Sequence, residues 1–170
     1  MKIIFLDING VLDSHRTMYA SNYDDEANEE LKLDPIAIGL IDKLCQVTEA
    51  KIVVSSVWRM GRTCGDFKKI FKHYGFDLPV FEMTPILTGK PRGAEVQAWI
   101  DMWESDGLEP IESYVILDDD GDFTQYQPLV QTKHQDGFLF HHFILALHIL
   151  DPESTEVGFG KFAGTMRFLK

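Results

Sequence analysis

The 170-residue sequence predicts an α/β fold, a parallel sheet covered by helices on both faces. Three observations predict it. The apolar runs Lys2 to Asp7, Lys51 to Ser55 and Ser113 to Leu117 are continuous rather than alternating, as in parallel strands buried on both sides. Segments with apolar residues at helical spacing separate them. The runs also end in polar groups: Asp7, Ser55 and, just past Leu117, Asp118. Right-handed crossovers set such ends side by side along one edge of the sheet, where open α/β sheets bind their ligands.

Taken in order, Ile3-Ile4-Phe5-Leu6 is the first strand, and the chain turns sharply at Gly10 after delivering Asp7. Residues 13–33 are polar and acidic, with Asp24-Asp25-Glu26 and Glu29-Glu30 among scattered aromatics. They read as an irregular flap carrying a helical turn, or as a solvated loop. Asp34-Pro35 is an N-cap followed by proline at the first helical position, and Ile36 to Thr48 continues as a helix. Lys51 to Ser55 is the second strand, and Asp66 to Tyr74 a helix stopped by Gly75. Arg92 to Trp103 is another helix, with Val96, Trp99 and Ile100 on one face. Ser113 to Leu117 is the third strand, Leu129 to Thr132 a short fourth, and His141 to Leu150 a largely apolar closing helix. Residues 151–170 form a tail in which 158–164 reads as a loop. The expectation is one domain over residues 1–170.

Net charge is −11, which argues against a broad nucleic-acid binder but leaves room for a small, locally positive site. Cys45 and Cys64 lack the spacing of a zinc site or a disulfide framework. The opening strand leaves no room for a signal peptide, and no apolar run reaches spanning length. The expected location is cytoplasmic, with no membrane partner.

The strand ends carry chemistry. A carboxylate that attacks a phosphoester faces a dianion, so a divalent cation must lie between them and donors must hold the free oxygens. Asp118-Asp119-Asp120, closing a buried strand opposite Asp7, supplies the oxygen ligands magnesium prefers. A solvated acidic turn is the bland alternative. A calcium loop of the EF-hand kind fits poorly, because Gly121 falls at a spacer position and no glutamate closes the loop.

The segment Asp7-Ile8-Asn9-Gly10-Val11-Leu12 resembles the first motif of the haloacid dehalogenase (HAD) superfamily, a strand followed by Asp-x-Asp-Gly-(Thr/Val)-Leu. Val54-Ser55-Ser56 resembles the second motif, Lys90-Pro91-Arg92 the third and Leu117-Asp118-Asp119 the fourth. The resemblance implies a Rossmannoid sheet and an aspartyl-phosphate mechanism with Asp7 as nucleophile. It implies that Ser55, with Ser56 in reserve, holds a phosphoryl oxygen, and that Lys90 or Arg92 offsets negative charge. Asp7, Asp118, Asp119 and the backbone carbonyl of Asn9 are the implied ligands of Mg2+. Ser55-Ser56-Val57-Trp58-Arg59, Arg92 to Ile100, Val115 to Asp120 and Leu129 to Thr132 with Gly137-Phe138 resemble one subgroup more narrowly. These are the small HAD domains of multi-enzyme RNA repair proteins, and the likeness spans roughly residues 1–150. The chain has no inserted block large enough for a cap domain. The implied reaction is phosphomonoester hydrolysis on an open site, with a phosphorylated small molecule, a nucleotide or a nucleic-acid end as substrate.

Ser55, Ser56, Arg59 and Gly10 form the expected substrate-binding set. Arg59, Arg62 and Arg92 either grip the leaving group's phosphates or make structural ion pairs. Trp58 and Trp99 read as core rather than stacking platforms, and His15, His134, His141 and His142 as structural or surface residues. The sequence leaves the oligomeric state open.

Asn9 stands where the family has its general acid/base aspartate. An amide hydrogen-bonds but does not exchange a proton usefully, and losing such a group costs about 10²–10⁴ in rate. Three explanations compete. A water or another residue such as Asp13 substitutes; the residue is an engineered Asp→Asn that traps substrate; or the chain binds a phosphorylated ligand without turning it over.

Overall fold

A computed structural model describes residues 1–20 and 32–153. The expected loop at 158–164 and most of the acidic stretch of the flap lie outside those residues. The sheet is built from β1 (Lys2–Leu6), β2 (Lys51–Val54), β3 (Val80–Met83), β4 (Ser113–Asp118) and β5 (Leu129–Gln131). Their order across the sheet is β3-β2-β1-β4-β5, and every pairing is parallel. The helices are α1 (His15–Ala20), α2 (Pro35–Thr48), α3 (Cys64–His73), α4 (Arg92–Ser105) and α5 (Phe140–Leu150).

Because side chains alternate along a strand, β1 serves two cores at once. Ile4 and Leu6 join Ile52, Val54, Val115 and Leu117 on the face covered by α2, α3 and α5, through Ile38, Ile41, Phe67, Phe71, Phe143 and Ala146. Ile3 and Phe5 join Val53 and Ile116 on the other face, where α4 lays down Val96, Trp99 and Ile100. Trp99 is core, as expected: its ring meets Phe5 edge-on at 5.4 Å and stacks on Trp103. Its Nε1 donates to Glu82 Oε2.

The helix starts follow from local chemistry. Asp34 Oδ1 accepts from Ile36 N at 2.8 Å, the expected cap of α2. Thr63 and Asp66 close a reciprocal capping box on α3, so that helix begins two residues before the expected Asp66. Helix α1 falls within the expected flap and supplies its helical turn. Strand β3 was not anticipated. It is an edge strand directly after Pro79, and of its four residues only Val80 is fully buried, so its apolar signal is short.

Candidate active site

The C-terminal edge of the sheet gathers the polar strand ends. Asp7 N donates to Leu117 O and Ser55 N to Leu6 O, so the three strands run in register until their functional residues emerge. One carboxylate oxygen each from Asp7, Asp118 and Asp119 lies within 4.8 Å of the other two. Asp120, by contrast, is exposed and contributes its backbone amide, which donates to Asp118 Oδ1 at 2.9 Å. That bond leaves Asp118 Oδ2 buried without a partner.

Orphaned polar atoms mark this edge. Asp7 Oδ1, Asn9 Oδ1, Ser55 Oγ, Arg92 Nη1 and Asp118 Oδ2 are all buried and lack hydrogen-bond partners. Buried polar groups are otherwise paired almost without exception, so a cluster of unpaired ones calls for a ligand. The set divides by chemistry into carboxylate oxygens that suit a hard cation and Ser55 and Arg92 donors that suit an anion. The three aspartates therefore fit a metal site of the oxygen-ligand kind.

Electrostatics say the same. Burial pushes the Asp7 carboxyl up, against a hydrogen bond from Ser56 and the charge of Arg92. Burial, and then the neighbouring Asp7, push Asp118 up to about 8. Carboxylates so placed stay ionised together only with a cation between them.

Gly10 is indispensable for a steric reason. Its φ is +68°, and a Cβ there would fall 2.2 Å from Asp119 Cγ. Its amide already donates to Asp13 O at 2.7 Å, and its carbonyl accepts from Thr132 Oγ1 at 2.7 Å. It thus makes room for Asp119 rather than offering an amide to substrate, which corrects its expected binding role.

Ser55 and Ser56 separate cleanly. The Ser55 hydroxyl is free, whereas Ser56 Oγ accepts from Trp58 N and caps the 3₁₀ turn Val57–Arg59. Lys90 and Arg92 separate as well. Lys90 is exposed, while the Arg92 charge acts on both Asp7 and Asp118. Arg92 is fixed there because its amide donates to Asp122 Oδ2 at 2.8 Å and the Gly93 amide to Asp122 O.

Arg59 is not an arm for substrate. Nε donates to Thr84 O, Nη1 to the Ser55 and Ser56 carbonyls, and Nη2 to Pro85 O and Glu95 Oε2. Those five bonds use all five guanidinium N–H groups, leaving none for a phosphate. The structural alternative holds for Arg59: it clamps the end of β2 and thereby aims Ser55. Arg62 donates to Trp58 O and lies over the Trp58 ring, and Trp58 itself is core.

Two residues stand at this edge without having been singled out for it: His134, read as structural or surface, and Thr84. His134 Nδ1 lies 3.3 Å from Asp119 Oδ2, and its ring meets His15 edge-on. Thr84, at the end of β3, buries a hydroxyl with no partner one strand away from Ser55. Neither has a motif signal, because each depends on strand order rather than on spacing. Asp13, a candidate stand-in for the missing acid, pairs through its backbone with the Asn9 loop, and its charge adds to burial in raising the Tyr74 hydroxyl.

Among the described residues no helix is long and apolar enough to cross a membrane. Searches of curated proteins and of solved structures return no significant match. One family model does match, that of the HAD domain in Swiss Army Knife RNA repair proteins, and it covers residues 3–142. With a five-stranded parallel sheet and an aspartate cluster at its C-terminal edge, the chain belongs to this HAD domain family.

Proposed function

We propose that this HAD-type hydrolase removes phosphoryl groups through a phosphoaspartate on Asp7, with Mg2+ as its cation. The observation that supports this most directly is the division of orphaned atoms, carboxylate oxygens on one side and the Ser55 and Arg92 donors on the other. Asp7, Asp118 and Asp119, with the Asn9 carbonyl that the family pattern implies, would hold the ion. Bound there, magnesium screens the phosphoryl charge from the attacking carboxylate. Asp7 Oδ1 is the nucleophile, Ser55 Oγ donates to a phosphoryl oxygen, and Arg92 Nη1 balances the charge that builds there. Phosphomonoester hydrolysis is the parent reaction. A phosphorylated nucleic-acid end or nucleotide is the favoured substrate class, supported by the family's place in RNA repair proteins. The net charge of −11 disfavours a long strand and so favours an end or a small ligand.

The test is magnesium-dependent labelling with 4-nitrophenyl phosphate, followed by hydroxylamine, which cleaves acyl phosphates. The chain is expected to give a hydroxylamine-labile phosphoprotein that the Asp7→Asn variant does not form. No phosphoprotein and no phosphate release would sink the proposal. Asn9 supports a second reading, a module that binds phosphorylated ligands without turnover. Tight magnesium-dependent binding of a phosphorylated oligonucleotide, with no release of phosphate, would establish that reading instead.

A further inference from the structure

We propose that this site prefers phosphoanhydrides, such as a di- or triphosphate group, over phosphate esters of ordinary alcohols. The inference rests on the phosphoaspartate reading above and narrows its substrate class to nucleotides and nucleic-acid ends that carry a di- or triphosphate, whose leaving groups depart without a proton.

The position of Asn9 carries the argument. Its loop is pinned by Leu12 N and Asp13 N donating to Ile8 O, by Gly10 N donating to Asp13 O and by Thr132 Oγ1 donating to Gly10 O. Within that fixed loop, two residues past Asp7, Asn9 Oδ1 is buried with no protein partner, as is Asp7 Oδ1. The side chain thus belongs to the site and not to the scaffold. An amide there can donate a hydrogen bond to a departing oxygen but cannot give it a proton.

Among the described residues no other acid is placed to take over the task. The groups that act most strongly on Asp7 are Ser56, the Ile8 amide, Arg92 and Asp119. Arginine keeps its proton in proteins, and Asp118 and Asp119 belong to the cation cluster. Asp13 is not among the groups that act most strongly on Asp7 or Asp118, and His134 lies against Asp119.

The leaving group must therefore be stable as it departs. In the first step a carboxylate oxygen of Asp7 bonds to the terminal phosphorus. The bond from phosphorus to the bridging oxygen breaks, and its electron pair stays on that oxygen. A nucleoside diphosphate leaves as an anion at neutral pH and needs no proton. An alkoxide from a sugar or glycerol ester does need one, and loses the factor of about 10²–10⁴ that a general acid supplies. In the second step water attacks the phosphorus of the acyl phosphate, the electron pair returns to the Asp7 carboxylate, and the water proton passes to solvent. With no general base at position 9 this step is slow, so phosphoenzyme accumulates.

The experiment is a rapid-quench comparison of the full chain with Mg2+ and three probes: ATP, 4-nitrophenyl phosphate and glycerol 3-phosphate. A stoichiometric burst of ADP and of nitrophenol is expected, with glycerol release slower by about 10²–10⁴. The Asn9→Asp variant should abolish the burst and collapse the ratio between ATP and the glycerol ester. Cleavage of ATP no faster than the glycerol ester overturns the inference and leaves the phosphoaspartate reading standing. Failure of all three probes to form phosphoprotein overturns both.

Discussion

Arg59 and Arg92 stand on either side of Glu95, 2.6 and 3.9 Å from its Oε2, and they are used in opposite ways. Around Arg59 every donor meets an acceptor, and Glu95 Oε1 accepts in turn from Leu87 N at 2.9 Å. Around Arg92 the Nη1 group is buried and unmatched, facing carboxylates that are unmatched too. The residue types are the same, although Arg59 is buried and Arg92 only partly so. What separates scaffold from site is whether the hydrogen-bonding valences close within the protein. A closed network holds a shape, and an open one waits for a ligand.

Removing a charge should therefore destabilise the first cluster and relieve the second. Arg59→Met leaves Glu95 buried with only the looser Arg92 contact to answer its charge, which costs about 3–5 kcal/mol. Urea denaturation should show it, and adding Glu95→Leu should recover a large part, since well-packed apolar pairs often replace buried ion pairs without loss. A single variant as stable as the parent would remove the distinction drawn here.

Asp118 offers the opposite test. In metal-free protein its carboxyl is raised to about 8, so the folded state holds a proton that the unfolded state has released. Its contribution to stability is present below the unfolded pKa near 4 and is lost as pH rises through about 8, by up to about 1.4 kcal/mol per pH unit. His142 runs the other way. Burial lowers it to about 4, and its Nδ1 accepts from Leu139 N, a bond that protonation breaks. That contribution is lost as pH falls from about 6.5 toward 4, so Asp118 is best observed between pH 6.5 and 8. There, thermal unfolding without metal should weaken with rising pH, Asp118→Asn should flatten the slope, and Mg2+ should cancel it. A slope indifferent to both would mean that the aspartates do not share charge as described.

The smallest expected effect is at His134. Outer partners of metal-binding carboxylates contribute about tenfold to affinity, so His134→Ala should weaken Mg2+ binding by that factor with the fold unchanged. Calorimetric titration reads it directly, and unchanged affinity would make the His134 contact with Asp119 incidental.

The sequence made legible whatever sits at the end of an apolar run. Asp7, Ser55 and Asp118 follow β1, β2 and β4, and their meeting required only parallel strands and right-handed crossovers. Partners chosen across the sheet stayed hidden. Nothing in Val57-Trp58-Arg59 tells that the guanidinium reaches Glu95, which is 36 positions away. That the charge of Arg92 acts on Asp7 and Asp118 likewise shows only in the fold, where α4 sets its first residue at the strand ends. Strand β3 was missed because an edge strand needs little apolar surface, and His134 because its partner lies on the neighbouring strand's exit.

The clasp made by Asp122 has one more consequence. A helix N-terminus concentrates partial positive charge and free amides, a natural seat for phosphate. In α4 that seat is taken: the Arg92 and Gly93 amides donate to Asp122, and the Ala94 amide donates to Pro91 O. Gln127 completes the seal, donating to Gly93 O and accepting from Thr124 N. The N-terminus of α4 is thus capped by a residue of the β4–β5 loop, and its first three amides are not available to a phosphate.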